Sequence, residues 1–291
     1  MPELPEVEIT RRQIAPLLVG RTIRRVETTK PSYFFLTRPA LLRERLLGRK
    51  VTALDRVGKY LVAKLDDGSR LLLHLGMTGQ LFGSGVTSVR LLSASRRSSL
   101  APEAQPAFKP DLHTHLQLYF ADRGPVVLFR DVRKFGKCAH LPAGRTDKRL
   151  DKLGVDALAA RGEDLFEAAR VRRIPIKTLL LDQGVLAGVG NIYADEALFL
   201  AKVSPKRSAK RVSLDECKAI IKAVKRVMRR SIATGGSSIS DYIQPDGRDG
   251  GYQNERRVYA REGEPCRVCH TPIKRTVLGG RSTYFCPSCQ L

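Results

Sequence analysis

Three features are missing from this sequence, and each absence excludes a class of protein. Although 42% of the residues are apolar, no apolar run is long enough to cross a bilayer, which excludes a membrane-spanning chain. The N-terminal segment is acidic and has no apolar core, so we expect no secretory signal peptide. No internal repeat is visible, which excludes an architecture built from many copies of one unit.

Acidic residues are also scarce relative to basic ones. The 291 residues include 52 Lys and Arg but only 29 Asp and Glu, which gives a formal net charge of +23. An excess of this size, spread over the whole chain, indicates a polyanionic partner, most often nucleic acid. An anionic membrane surface is the alternative. The length allows one large domain or two to three smaller ones.

Cysteine is sparse, and its spacing indicates a metal site rather than a disulfide framework. Of six cysteines, Cys138 and Cys217 stand alone, and the other four form two C-x-x-C pairs separated by 16 residues. This spacing predicts that Cys266, Cys269, Cys286 and Cys289 bind one structural Zn²⁺. The metal would supply the folding energy of a module too small to form a sufficient core. A reducing compartment fits such thiolates.

Apolar periodicity changes along the chain. It predicts a helix over 5–18 and another near 38–47, and strands at 21–28, 50–57, 59–66, 69–76, 113–121 and 125–131 that form a sandwich of two sheets. Residues 83–110 are a long insertion, solvated or in loose contact with a nucleic acid. After residue 144 the pattern becomes helical, near 147–157, 162–170, 175–183, 191–200 and 213–233. Residues 235–254 are rich in Gly, Ser and Asp and predict a flexible loop or linker.

The N-terminus carries a possible nucleophile. Removal of Met1 would leave Pro2 as a secondary α-amine, and α-amines titrate near pH 7.7–8. A partly neutral amine can attack an aldehyde-like carbon and form a Schiff base, with Glu3 beside it to move protons. The alternative is structural: Pro5 begins a helix, and Glu3 and Glu6 interact with its positive end.

A glycine-rich turn precedes the helix near 191–200. The run from Gln183 to Glu196 contains three glycines, with Asn191 at a predicted N-cap, and backbone N–H groups at such a helix end can hold a phosphate. A tightly packed turn would also need glycines. Basic residues just upstream favour a contact with the DNA backbone: Arg170, Arg172, Arg173 and Lys177.

Six motifs occur in an order that resembles one family. They are PELPEVE at 2–8, GKYL at 58–61, HLGMTG at 74–79, DVRKFG at 131–136, GVGNIYADE at 188–196 and the paired-cysteine finger. The chain resembles bacterial formamidopyrimidine-DNA glycosylases, helix–two-turn–helix enzymes that remove oxidised purines such as 8-oxoguanine. The resemblance covers the whole length except residues 83–110.

The resemblance implies a role for each matching residue. Pro2 is the Schiff-base nucleophile, Glu3 its acid/base partner, Lys59 an aid to β-elimination, and Arg281 the finger arginine of δ-elimination. Three side chains fill the space left by the everted base: Met77, Arg133 and Phe135. Four residues occupy phosphate-contacting positions: His113, Arg172, Lys177 and Asn191. The 235–254 loop covers the flipped base. Without the resemblance, Lys59 reads as a surface lysine and Met77 and Phe135 as core residues.

Two departures from the family pattern affect the same loop. Val132 stands where a proline is common, and Lys134 stands where an arginine is usual. Two rival interpretations remain open. One is the sister endonuclease VIII-like group, which shares the Pro2-Glu3 start and prefers oxidised pyrimidines. The other is a DNA-binding protein without catalysis.

Together these patterns predict a multidomain α+β chain. We expect an N-terminal helix and β-sandwich over 1–142, a helix–two-turn–helix domain over 143–236, a lesion-covering loop over 237–256, and a zinc-ribbon-type finger over 257–291. The expected activity is that of a bifunctional DNA glycosylase and AP lyase, with one structural Zn²⁺ as its cofactor. We expect a monomer that acts on damaged double-stranded DNA in the bacterial cytoplasm, at the nucleoid, without a membrane partner.

Overall fold

The computed structural model describes residues 2–85, 108–239 and 242–291. These residues form two compact units, and neither is continuous in sequence. The first unit comprises Met1–Asp147 and Thr234–Gln253, and the second comprises Lys148–Ala233 and Asn254–Leu291. Most of the predicted 83–110 insertion lies outside the described residues.

The described residues of the first unit form two helices and eight strands. Helix α1 begins at Leu4 because Glu3 caps it and Pro5 lies in its first turn, where a missing N–H costs nothing. In chain order the elements are α1 Leu4–Leu18, β1 Ile23–Thr28, α2 Pro39–Leu46, β2 Val51–Val57, β3 Tyr60–Leu65, β4 Arg70–His74, β5 Gly79–Gly83, β6 Thr114–Phe120, β7 Val127–Asp131 and β8 Lys137–Leu141.

The strands form two antiparallel four-stranded sheets. One has the order β1-β6-β7-β5 and the other β2-β3-β4-β8. One large apolar core takes residues from α1, α2 and both sheets, including Ile14, Leu42, Leu73 and Phe129, all at most 1% exposed. The predicted helix and β-sandwich are therefore confirmed. Burial of this apolar surface is the main favourable contribution to folding of the unit.

The second unit is mainly helical. Its elements are α3 Lys148–Asp151, β9 Val155–Asp156, α4 Gly162–Ala169, α5 Ile176–Leu180, β10 Leu186–Ala187, α6 Asn191–Leu200, α7 Leu214–Ala233, β11 Lys274–Leu278 and β12 Arg281–Phe285. Helix α7 starts with the predicted capping box, in which Ser213 N–H donates to Glu216 at 2.9 Å and Glu216 N–H donates to Ser213 Oγ at 3.2 Å. It ends just before Gly235 and Gly236, which both have positive φ.

The paired-cysteine finger packs directly on these helices. Phe199 of α6 joins Val258, Cys266, Ile273 and Cys286 in one buried apolar cluster. The finger therefore shares a core with the helical segments. Among the described residues, no helix has both the length and the apolar character needed to cross a membrane.

Candidate active site and zinc centre

The first turn of α1 is held by two carboxylates. Pro2 is buried and Glu3 is 3% exposed. The Glu6 side chain accepts the backbone N–H of Glu3 at 2.9 Å as part of a capping box. These contacts fix the backbone next to the Pro2 nitrogen, so Pro2 and Glu3 lie in an ordered turn and not in a frayed terminus.

The same Glu6 carboxylate also anchors the segment that returns to the first unit after α7. Its Oε1 accepts the Ser237 N–H at 3.0 Å, and the Tyr242 hydroxyl donates to the Glu6 carbonyl at 3.4 Å. Farther along, the Gln13 side chain bonds both Gln244 and Asp246. The described part of the predicted flexible loop is thus docked along α1, and Tyr242 is 7% exposed.

Lys59 lies in the tight turn between β2 and β3. Gly58 takes φ +57°, which a side chain would disfavour, and Lys59 is 7% exposed. Arg56 ties this turn to α1, because its guanidinium donates to the Gly58 carbonyl at 3.1 Å and to Glu8 at 3.3 Å. Although burial raises the pKa of Glu8, its contacts with Arg11 and Arg12 lower it to about 2. Glu8 therefore stays ionised and keeps the Lys59 turn against α1, the helix that Glu3 caps.

His74 at the end of β4 supports the following turn in its neutral form. Its Nδ1 accepts the Gly76 N–H at 3.2 Å. Burial, with the positive charges of Lys59 and Lys137, lowers the pKa of His74 to about 4. A protonated imidazole could not accept this bond, so the turn that presents Met77 depends on a neutral His74.

Two turns that carry the predicted wedge residues pack backbone to backbone. Met77 lies on the turn between β4 and β5, and Arg133 and Phe135 lie on the turn between β7 and β8. A Cβ at Gly76, whose φ is +64°, would lie 2.4 Å from the Gly136 nitrogen. Only glycine permits this approach, and it places the three wedge side chains in one region of the first unit.

Asp131 joins these two turns through its carboxylate. It is fully buried and accepts the Thr78 hydroxyl at 2.5 Å, the Gly136 N–H at 2.6 Å and the Arg133 N–H at 3.2 Å. Its own N–H donates to the His113 carbonyl at 2.8 Å, which places His113 beside the wedge turns. Burial lowers the pKa of His113, so its imidazole is a neutral hydrogen-bonding group above pH 7.

The wedge side chains are available to a partner. Phe135 is 43% exposed, and the Arg133 guanidinium lies 4.8 Å from the centre of its ring. Tyr33, 56% exposed, lies beside them, with its ring 6.4 Å from Phe135 and its hydroxyl donating to the Arg133 carbonyl at 2.6 Å. A core role for Phe135, the alternative left open by the sequence, does not fit this exposure. Met77 is partly buried.

The remaining DNA-contact predictions belong to the second unit. Arg172 is 40% exposed and pairs with Asp182 at 2.9 Å, and Arg281 is exposed at the first position of β12. Asn191 is the first residue of α6 and not its N-cap, which is Gly190. Its amide donates to the Ser282 carbonyl at 3.0 Å. The prediction of Asn191 as the capping residue was therefore wrong.

Lys177 has a different environment from a phosphate-binding lysine. It is fully buried, and its Nζ lies 2.8 Å from Asp195 Oδ1, 2.8 Å from the Ser282 carbonyl and 2.9 Å from the Thr283 hydroxyl. Three contacts match the three donors of an ammonium group. Such burial does not fit the phosphate contact predicted from the sequence. Burial raises the pKa of Asp195, and the adjacent Lys177 opposes that rise.

The four paired cysteines converge on one point. Their sulfur atoms all lie within 4.8 Å of one another, with separations of 3.9 Å between Cys266 and Cys289, 3.4 Å between Cys269 and Cys286, and 3.4 Å between Cys269 and Cys289. A Zn–S bond of about 2.3 Å in a tetrahedron requires sulfur separations of about 3.8 Å. The donor set therefore fits one structural zinc with all four positions filled by protein. His270 is exposed and outside this set.

Three family models match successive parts of the chain. The formamidopyrimidine-DNA glycosylase N-terminal domain matches residues 1–138, the formamidopyrimidine-DNA glycosylase H2TH domain matches 153–243, and the zinc finger found in FPG and IleRS matches 263–291. A curated formamidopyrimidine-DNA glycosylase of Solibacter usitatus is 41% identical over 290 residues, covering 100% of this chain and 99% of the relative. The chain belongs to the formamidopyrimidine-DNA glycosylase family.

Solved structures of family members share the whole fold. The MutM (FPG) protein of Thermus thermophilus is 38% identical with a TM-score of 0.82, over 99% of this chain and 98% of that one. A mutant Lactococcus lactis FPG in complex with a Fapy-dG-containing DNA is 32% identical with a TM-score of 0.83, over 99% of both chains. Membership in the glycosylase family thus extends over both units.

Sequence reasoning missed two residues of this site. Asp131 stood inside the quoted DVRKFG motif, and an acidic residue at the end of a buried strand was a usable signal. Tyr33 lies in a segment with no motif, about a hundred residues before Arg133 in the chain. Only the fold shows that the two are in contact.

Proposed function

We propose that this chain is a bifunctional DNA glycosylase and AP lyase that excises oxidised purines, including 8-oxoguanine and formamidopyrimidines, from double-stranded DNA. Full-length membership in the glycosylase family, with Pro2 and Glu3 held in the capped first turn of α1, carries the proposal. The enzyme would act as a monomer on the DNA of the nucleoid. A protein that only binds DNA has no need of an N-terminal secondary amine.

The chemistry follows from an amine, a carboxylate and two cations. The nitrogen of Pro2 forms a bond to C1′ while the bond from C1′ to the damaged base breaks, and the base leaves with the proton that the Pro2 nitrogen loses. Opening of the C1′–O4′ bond then requires a proton on O4′, which Glu3 would supply as a general acid. The product is an iminium ion, and water later releases the amine from it.

The iminium ion makes the C2′ proton acidic. Loss of that proton drives β-elimination, which breaks the C3′–O bond, and δ-elimination then breaks the C5′–O bond. Each elimination releases a phosphate, so a nearby cation stabilises the leaving group. Lys59 is proposed to act near the sugar and its phosphates, and Arg281 to grip the phosphate next to the lesion during δ-elimination.

The wedge turns account for access to the base. A nucleotide must leave the stack before its C1′ can be attacked, at a cost of a few kcal/mol. Exposed Phe135, with Met77, would fill the vacated space, while the Arg133 guanidinium would face the orphaned cytosine. Arg172, Asn191 and His113 are proposed to contact phosphates, which position the duplex without reading its sequence.

The zinc centre is structural in this proposal. Because Cys266, Cys269, Cys286 and Cys289 supply four sulfur ligands, the ion has no open position for a substrate. When bound, the zinc supplies folding energy to the finger that carries Arg281.

One experiment separates the candidate functions. Duplexes that contain 8-oxoguanine opposite cytosine, an oxidised pyrimidine or an abasic site are incubated with the protein, with and without borohydride. We expect strand cleavage and a covalent borohydride adduct on the 8-oxoguanine and abasic duplexes. Preferential cleavage of the pyrimidine duplex would indicate the endonuclease VIII-like activity, and binding without cleavage or adduct would indicate a DNA-binding protein without catalysis.

A further inference from the structure

The hairpin of β11 and β12 is fixed to the helical part of its unit by buried polar side chains. Lys177, 0% exposed on α5, donates to the Ser282 carbonyl and to the Thr283 hydroxyl. Asp195, 0% exposed on α6, accepts the Tyr284 N–H at 2.9 Å through Oδ2, while its Oδ1 lies 2.8 Å from Lys177. Three consecutive residues of β12 are thus held by one buried ion pair.

These contacts reach the backbone of Arg281 itself. The Thr283 hydroxyl, which accepts from Lys177, donates in turn to the Arg281 carbonyl at 3.1 Å. A continuous path of hydrogen bonds therefore runs from the Lys177 ammonium through Thr283 to Arg281. Thr283 is 0% exposed, so water does not compete with this path.

On its other side, Arg281 pairs with Leu278 across a two-residue hairpin tip. The tip residues, Gly279 and Gly280, both have positive φ and supply no side chain to pack. The direction in which Arg281 leaves the hairpin is therefore determined by its pairing with Leu278 and by the residues that follow it, which the ion pair holds.

We propose that Lys177 and Asp195, acting through Thr283, are positioning residues that set the Arg281 guanidinium for δ-elimination. The inference rests on the proposed function, because it assigns a role within that reaction. It also replaces the predicted direct phosphate contact of Lys177. The ion pair acts on catalysis through Arg281 and makes no contact with DNA.

The test compares two nearly isosteric changes in the path. Thr283→Val removes the hydroxyl, and Thr283→Ser keeps it. On an abasic duplex under single-turnover conditions, we expect Thr283→Val to lower the ratio of δ- to β-elimination product by about fivefold, the effect of one lost hydrogen bond. Thr283→Ser should keep the wild-type ratio. A merely structural defect would reduce both products together and leave their ratio unchanged.

The lysine is tested with its own control. Lys177→Met should lower the same ratio, whereas Lys206→Met should not, because Lys206 contacts the Phe285 ring at 4.8 Å from outside the path. Combined with Arg281→Ala, the Thr283→Val change should have no additional effect on the ratio, as expected for residues that act through one another. Zinc content, measured for every variant, identifies any that lose the finger.

The outcomes separate the two proposals. A wild-type protein that forms no borohydride adduct overturns the proposed function. If the wild type forms the adduct and both elimination products, while zinc-bound Thr283→Val keeps the wild-type product ratio, the positioning role is wrong and the function stands. Additive effects of Thr283→Val and Arg281→Ala would also overturn the positioning role.

Discussion

At the residue scale, Glu3 has a structural and a chemical task that substitution can separate. It caps α1, and it is proposed to supply the proton to O4′ that opens the sugar ring as the base leaves. Glu3→Gln keeps the shape and cannot exchange a proton, so release of 8-oxoguanine should fall by about 10²–10⁴-fold. An abasic site has already lost its base and can open to an aldehyde. Cleavage and borohydride trapping of that site should therefore persist, measured on matched duplexes.

The control for Glu3→Gln is a protein in which the α-amine of Pro2 is blocked. An N-terminal extension that stays uncleaved removes the secondary amine of Pro2 and should abolish both base release and trapping. If the extended protein still forms an adduct, a lysine such as Lys59 is the nucleophile, and the assignment of Pro2 is wrong.

Substitution of Phe135 should affect two substrates differently. If its ring enters the base stack, Phe135→Ala should reduce excision of paired 8-oxoguanine by about five- to 150-fold, because stacking energies of roughly 1–3 kcal/mol are involved. Cleavage of an abasic site, where less stacking must be broken, should change little. Equal losses on the two substrates, in single-turnover assays, would contradict the wedge assignment.

Tyr33 offers a finer test of the same turn. Its hydroxyl holds the Arg133 carbonyl at 2.6 Å, and its ring lies beside Phe135. Tyr33→Phe removes only this hydrogen bond, so we expect excision of 8-oxoguanine opposite cytosine to fall by about fivefold. Tyr119→Phe, which alters a tyrosine hydroxyl bonded to Glu27 and Gln117 instead, is the matched control. A similar loss in both variants would indicate a general effect on the fold.

At the scale of elements, four histidines of the β-sandwich make its stability depend on pH. Burial lowers the pKa of His74, His113, His115 and His140, that of His74 to about 4. The unfolded chain therefore binds protons near pH 6.5 that the folded chain rejects. The contribution of these histidines to the free energy of unfolding is therefore full above that pH. It decreases as the pH drops towards 5, by up to about 1.4 kcal/mol per pH unit for each such histidine.

Chemical unfolding at pH 8, 7, 6 and 5 measures this slope. His74→Gln should reduce it by about one proton, since glutamine can still accept the Gly76 N–H and does not titrate. The range stays above pH 5 so that the low pKa of Glu8 does not contribute. The raised pKa of Asp195 contributes with the opposite sign in both proteins, so the difference between their slopes is the test. Equal slopes in wild type and His74→Gln would contradict the prediction.

Most elements could be predicted from the sequence, and the exceptions lack a local pattern. Six strands of the first unit were predicted from apolar runs, whereas β5 and β8 were not. Strand β5 is only five residues long and has a glycine at each end, and glycine is disfavoured in strands. The 147–157 prediction was too long, because only Lys148–Asp151 is helical and Val155–Asp156 pairs with Leu186–Ala187 as a short parallel ladder. Such pairing depends on distant residues and leaves no local signal.

In the candidate site, too, some residues could be predicted from the sequence and others only from the fold. Spacing predicted the zinc ligands, and their convergence confirms that site. The chemistry of an N-terminal amine indicated Pro2 and Glu3, the family resemblance indicated the wedge residues, and these roles stay predictions. Sequence could not predict that Lys177 is buried, since a lysine beside other basic residues is normally solvated. Its partner Asp195 lies on another helix, and their contact is a property of the fold.

At the scale of the whole molecule, the net charge of +23 predicts DNA binding that weakens steeply with salt. Arg172→Ala should weaken binding to all sequences alike and reduce the slope of log K against log salt by about one unit, if Arg172 meets one phosphate. Asp182, its present partner at 2.9 Å, supplies the control. Asp182→Asn should keep the slope. An unchanged slope in Arg172→Ala would show that this arginine is a solvated surface charge.

The division of the first unit along the chain has a consequence for synthesis on the ribosome. Residues up to Asp147 emerge first, but Tyr242, Gln244 and Tyr252, which are buried in the same unit, follow only after the helices of the second unit. The sandwich must wait for about a hundred further residues, roughly 5–20 s at bacterial rates of translation. During that interval the surface of α1 that later binds Ser237 and Tyr242 is open to chaperones. Nascent chains stalled just after Asp147 has left the tunnel should accordingly be more sensitive to protease than chains stalled after residue 253 has left it.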